Sequence, residues 1–123
     1  ASAVGGSFMT DPLPQGADIV SLIRVMHDHD DVVVIPLLRA IHAALPDQGT
    51  VLIAEQLSGV PGAAAITDAY LAFYLQAMGS GTPRNFARMQ NLLEMAGFAE
   101  VRLRPVPMPL VASVITAFKR QMC

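Results

Sequence analysis

The apolar positions change period along the chain, and the changes mark out its elements. Ala17-Asp18-Ile19-Val20-Ser21-Leu22-Ile23-Arg24-Val25-Met26 is β-branched and almost unbroken in apolar character, the pattern of a strand covered on both faces. After the polar cluster His27-Asp28-His29-Asp30-Asp31, Leu37, Leu38, Ile41, Ala44 and Leu45 return at helical spacing. Pro36 lacks an N–H and suits only a first turn, so the regular helix is expected to begin near Val33 to Ile35. Pro46-Asp47-Gln48-Gly49 then punctuates, and Thr50 through Glu55 reads as a second buried strand. Strand, helix, strand predicts a parallel crossover. Upstream, Ser2 through Phe8 reads as a short strand-like segment running into the turn Thr10 to Gly16, whose prolines forbid a continuing ladder.

From Ala63 to about Met78, Tyr70, Phe73, Tyr74 and Ala77 recur at three- and four-residue spacings, which predicts a helix with one broad buried face ended by Gly79-Ser80-Gly81-Thr82-Pro83. Phe86, Met89, Leu93 and Ala96 mark another helix, with Gly97 placed for the left-handed cap and Phe98 behind it. Glu100 to Pro105 and Ser113 to Phe118 alternate in polarity and are expected to pair antiparallel across the Pro-rich Pro105 to Pro109 turn. The whole predicts an α/β fold, a parallel sheet finished by an antiparallel C-terminal edge.

Of the 123 residues, 53% are apolar and 15% charged, enough for one core and hence one domain. A formal charge of −2 without a basic stripe argues against nucleic acid as a partner. The longest apolar stretch, Val32 to Leu38, is far short of the ~20 residues of a spanning helix, which leaves at most peripheral membrane contact. The N-terminal residues lack the regions of a signal peptide, and a single cysteine, Cys123, builds no disulfide framework, so a reducing, cytoplasmic setting is expected.

Ligands of open α/β sheets bind outside the carboxyl ends of the strands, where loops and helix N-termini converge. His27 follows directly on the first strong strand, with Asp28 beside it to orient an imidazole, and Glu55 closes the second strand facing the same crevice. The blander reading is a strand-end histidine satisfied by loop hydrogen bonds. His27 and His29 with Asp28, Asp30 and Asp31 also permit a metal reading, but Asp30 and Asp31 have a simpler place as caps at the positive end of the next helix. No metal is expected. His42 reads as a surface or boundary residue of the first long helix.

Taken together, Gly5-Gly6-Ser7-Phe8, Asp11-Pro12-Leu13-Pro14-Gln15-Gly16-Ala17-Asp18, Arg24-Val25-Met26-His27-Asp28, Ala43-Ala44-Leu45-Pro46, Leu52-Ile53-Ala54-Glu55 and Ala96-Gly97-Phe98 resemble, in order and spacing, the S-adenosylmethionine-dependent O-methyltransferases of the plant and bacterial small-molecule type. Asp68-Ala69-Tyr70 through Gly81, followed by Pro83-Arg84, looks most like the bacterial carotenoid branch. The resemblance implies a partial Rossmann-like class I methyltransferase sheet. It also implies S-adenosylmethionine as methyl donor, a small apolar hydroxylated acceptor such as a carotenoid, and a homo-oligomer, a dimer in the family. His27 becomes the general base, with Asp28 and Glu55 as carboxylates beside it. Ser7, Phe8 and Arg24 become cofactor-binding positions, Arg24 standing in for a lysine that many members carry where this chain has Ile23. Tyr74 and Met78 become acceptor-pocket positions, Met78 replacing an amide and suiting a polyene-like acceptor. Ser7 stands where many members have an acidic residue, His29 where a tryptophan is usual, and Pro83 where plant members place a further glutamate. The family's Gly-rich loop after its first strand, its ribose-binding acid and its N-terminal helical domain would precede Ala1. Residues 1–123 are therefore expected to be the C-terminal portion of the catalytic domain, lacking the first strands, with a non-catalytic assembly module, or a methyltransferase acting on another aromatic or pigment acceptor, as the alternative reading.

Overall fold

The computed structural model describes residues 1–121; Cys123 lies outside the described residues. Along the chain run β1 (Ile19–Ile23), α1 (Asp31–Ala44), β2 (Thr50–Glu55), a π-helical stretch (Ala64–Leu71) continuing into α2 (Ala72–Met78), α3 (Phe86–Met95), β3 (Phe98–Arg104) and β4 (Ser113–Lys119). The four strands form one sheet in the order β1-β2-β4-β3, with β1 and β2 parallel and β4 antiparallel to both its neighbours. The crossover through α1 and the C-terminal antiparallel pair match the sequence reading. β4 inserts between β2 and β3, so the antiparallel edge of the sheet is β3.

One face of the sheet carries the core. In register, Val20 and Leu22 of β1 lie beside Val51 and Ile53 of β2, which lie beside Ala117 and Ile115 of β4. Against them pack Val34, Leu37, Leu38 and Ile41 of α1, Leu45 just after it, and Met89, Leu92 and Leu93 of α3 in one buried cluster. The other face is covered far less: Ile19 is 61% and Ile23 56% exposed, so β1 is not covered on both faces as its composition predicts. Both core helices share one side of the sheet, and β1 has a strand neighbour on one edge only among the described residues.

Three local expectations change. Ser2–Phe8 is not a strand; it pairs with no strand among the described residues, and the chain instead folds into a turn in which the Ser7 N–H donates to Asp11 Oδ2 (2.7 Å). α1 begins at Asp31, earlier than Pro36 suggests, with the Val33 and Val34 N–H groups donating to Asp30 O. Pro36 and Val32, whose carbonyl loses its helical donor, both lie on the exposed side of α1, where that loss is cheapest. The 64–78 helix buries a narrow stripe rather than a broad face: Ala63, Thr67, Leu71 and Leu75 are buried, four residues apart, while Tyr70 and Phe73 are each 72% exposed. Gly97 does adopt the left-handed cap (φ 103°), and a side chain there would press on His42, whose ring meets Phe98 edge-on at 5.1 Å. His42 is a boundary residue, as read, and burial beside Phe98 pushes its imidazole below the usual value, with Lys119 adding to the effect.

Candidate active site

The site grows from the way β1 ends. The Arg24 N–H donates to Ala54 O (2.8 Å), and Arg24 then takes a left-handed conformation (φ 55°) that stops the strand. The next residues, Met26–Asp28, form a single 3₁₀ turn that turns His27 inward, leaving it 6% exposed. The adjacent strand ends in Glu55, 2% exposed. Its Oε1 accepts the backbone N–H groups of Met26 (2.8 Å) and His27 (3.3 Å), and its Oε2 meets His27 Nδ1. One carboxylate thus holds both the turn and the ring. Because a carboxylate only accepts, Nδ1 carries a proton and the ring's exchangeable chemistry is left to Nε2.

Asp28 Oδ1 lies 3.2 Å from His27 Nε2, and its side chain is half exposed. This corrects the expected division of labour: the orienting partner at Nδ1 is Glu55, and Asp28 sits on the opposite nitrogen. The hydrogen bond to Glu55 raises the proton affinity of His27 above the usual imidazole value against the effect of burial; the charges of Glu55 and Asp28 reinforce it, and Arg24 opposes it. The Asp28 contact is an ion pair only when the ring is protonated, since a neutral Nε2 has no hydrogen to offer a carboxylate.

In front of the ring opens a cleft of about 480 Å³ lined by Arg24, His27, Asp28, Gln56, Tyr70 and Tyr74, with Ile66 and Leu71 completing its apolar wall. Of the positions singled out from sequence, the structure therefore gathers His27, Asp28, Arg24 and Tyr74 at one cleft, with Glu55 behind the ring. Met78 ends α2, is largely exposed and does not line the cleft. Ser7 and Phe8 do not line this cleft. The Phe8 ring stands edge-on to His29 (5.2 Å) and borders a groove with Met9, Val32, Val33, Pro36 and Leu37. The Ser7 hydroxyl accepts the Met9 N–H (3.3 Å). Among the described residues no group of three His, Cys, Asp or Glu side chains is arranged to hold a metal, and no helix is long and apolar enough to cross a membrane.

Sequence reasoning missed Arg84. It is 5% exposed, donates from Nη1 to Met26 O (2.8 Å) and from Nη2 to His29 O (2.7 Å), and pairs with Asp31. Asp31 is also held by Arg88, the main reason its carboxyl lies below the usual range, with Arg84 adding to the effect. Nothing in the local pattern around Arg84 marks a buried cation, because its partners lie more than 50 residues upstream.

A family model described as an O-methyltransferase domain matches residues 1–99. Over 112 residues the chain is 46% identical to demethylspheroidene O-methyltransferase of Rhodobacter capsulatus, a match covering 91% of this chain and 28% of that protein. Over 101 residues it is 35% identical to acetylserotonin O-methyltransferase of Mus musculus, covering 82% of this chain and 26% of the relative. The crystal structure of human N-acetylserotonin methyltransferase in complex with S-adenosylmethionine superposes with a TM-score of 0.83 at 28% identity, over 94% of this chain and 33% of that one. The chain thus spans less than a third of the length of these curated relatives.

Proposed function

The chain belongs to the O-methyltransferase family and has the mixed sheet of class I methyltransferases, and on that premise we propose that it carries the base and acceptor half of an enzyme methylating a hydroxyl of a small apolar acceptor. The observation that carries this reading is the buried His27–Glu55 pair opening on a cleft walled by Tyr70, Tyr74, Ile66 and Leu71.

S-adenosylmethionine, the ligand of the human neighbour, supplies a sulfonium methyl when bound. The fit of this chain to it rests on Phe8 and its apolar groove on α1, a surface suited to a purine ring. Phe8 and Ser7 would hold that end, and Arg24, a cation in the cleft, would face a carboxylate. The remaining chemistry belongs to the chain. His27 Nε2 takes the proton of the acceptor hydroxyl as the oxygen begins to attack. Glu55 keeps the ring in the tautomer that leaves Nε2 free and stabilises the imidazolium that forms. Asp28 pairs with Nε2 once the proton has arrived and releases it when the ring is neutral. Burial of His27 and Glu55 keeps bulk water from competing for that proton.

The acceptor we favour is a hydroxylated carotenoid. The 46% identical relatives are named for demethylspheroidene, and the cleft wall is aromatic and aliphatic. The function is tested by methyl transfer from S-adenosylmethionine to a hydroxylated carotenoid, with the parental and His27→Ala proteins compared. A kcat loss of about 10²–10⁴-fold with donor binding retained is expected. Unchanged turnover in His27→Ala sinks the reading.

A further inference from the structure

The four residues that carry the base, Met26 to His29, have all of their carbonyl oxygens bonded by one short segment more than 50 residues downstream. Arg84 Nη1 donates to Met26 O (2.8 Å), the Thr82 N–H to His27 O (3.0 Å), the Ser80 hydroxyl to Asp28 O (2.9 Å) and Arg84 Nη2 to His29 O (2.7 Å). The Gly81 N–H donates to Asp30 Oδ1 (2.9 Å) just beyond. The approach is so close that a Cβ on Gly81, itself at φ 89°, would stand 2.1 Å from His27 O. The same segment is tied to the exit of β2, since Arg84 O accepts the Ser58 N–H (3.0 Å) three residues beyond Glu55.

We propose that residues 80–84 are a positioning latch for His27, with Arg84 its principal residue, holding the turn from the carbonyl side while Glu55 holds it from the N–H side. The turn is a single 3₁₀ turn and has too few internal bonds to set a ring orientation. A buried guanidinium, which is always charged and presents donors in a fixed fork, clamps two carbonyls three residues apart. Pro83, which stands where the resemblance places a supporting carboxylate, sits inside this segment between two latch residues. Backbone clamping thus takes the place of a second side-chain support. Arg84 touches no reacting atom; it acts through His27, and its catalytic consequence rests on the reading of His27 as the base.

The test follows the His27 imidazole by NMR titration in the histidine-labelled chain, comparing the parent with Arg84→Lys and Ser80→Ala, alongside methyl-transfer kinetics. Glu55, Asp28 and Arg24 are the charged groups facing the ring, and all three are kept. Arg84→Lys preserves the charge but not the fork. It is expected to move the titration of His27 down toward 6.5 and to lower kcat about 10²-fold, the order that a 1 Å misplacement costs, with donor affinity unchanged. Ser80→Ala removes one exposed hydroxyl and shifts the titration less, in the same direction. Where Arg84→Lys does not fold, Ser80→Ala decides alone. An unmoved His27 titration in the folded variants overturns the latch. Turnover that survives His27→Ala overturns the base reading instead and leaves the titration result standing.

Discussion

The turn at His27 and the helix over residues 64–78 meet at the same cleft and are built on opposite plans. In the turn, Glu55 holds the backbone N–H groups, the 80–84 segment holds the carbonyls, and His27, Glu55 and Arg84 are all buried. The helix begins with π-helical geometry, keeps only Ala63, Thr67, Leu71 and Leu75 inside, and turns Tyr70, Phe73, Tyr74 and Met78 outward. One region is over-determined by internal bonds; the other offers apolar surface and few internal constraints. Proton transfer requires a ring fixed relative to its partners, whereas an apolar acceptor is bound by area and tolerates adjustment. The difference also predicts where the chain resists change.

The helix should depend on its narrow stripe and not on its aromatic face. Leu75→Ala, at a buried anchor, is expected to lower stability by ~2–5 kcal/mol in denaturant titration; a loss below ~1 kcal/mol would show that the stripe does not hold the helix. Replacing Glu55 by Gln removes the charged partner of a buried ring, and a loss of ~1–3 kcal/mol is expected, with the His27 titration falling. Parental stability with an unmoved titration would refute the two-sided clamp.

The pH dependence sharpens the contrast. His27 has a raised folded value, so its contribution is full below the unfolded value of about 6.5 and is lost as pH rises through the folded one. His42 has a lowered folded value, so its contribution is full above about 6.5 and is lost as pH falls through the folded one. Thermal melts should therefore show a stability maximum between the two limbs; Glu55→Gln should flatten the alkaline limb and His42→Gln the acid one. Activity should rise with pH across the alkaline limb, because the base works in its neutral form, so that rate and stability move in opposite directions there. A rate that falls with pH over that range would be incompatible with His27 as the base. The smallest effect belongs to the exposed face: Phe73→Ser should change stability by no more than ~0.5 kcal/mol, measured on the same denaturant scale.

Much of the fold is legible in the chain. β2, the β3–β4 pair, α3 with its Gly97 cap, and the buried positions Leu37, Leu38, Ile41 and Ala44 of α1 with Leu45 at its end all follow from spacing, because each is a local periodicity set against one core. Three readings fail for a shared reason. Among the described residues Ser2–Phe8, strand-like in composition, pairs with no strand, and β1, with the composition of a doubly covered strand, leaves Ile19 and Ile23 exposed. The aromatic residues of the 64–78 helix have core spacing but face outward. In each, local pattern reports how apolar a segment is, not whether another element comes to cover it.

The candidate site divides along the same line. Its position at the end of the first strong strand, the identity of His27 and the closing Glu55 are properties of the sequence, since strand ends and residue types are written locally. Which carboxylate reaches which ring nitrogen was decided by the parallel pairing of β1 with β2, which sets Glu55 behind the turn and leaves Asp28 in front. The placing of Phe8 at a groove on α1 rather than in the cleft, the absence of Met78 from the cleft and the burial of Arg84 were likewise decided by packing. Spacing along a chain sets the period of a face, but distances between residues 50 apart exist only once the sheet and its connections have closed around them.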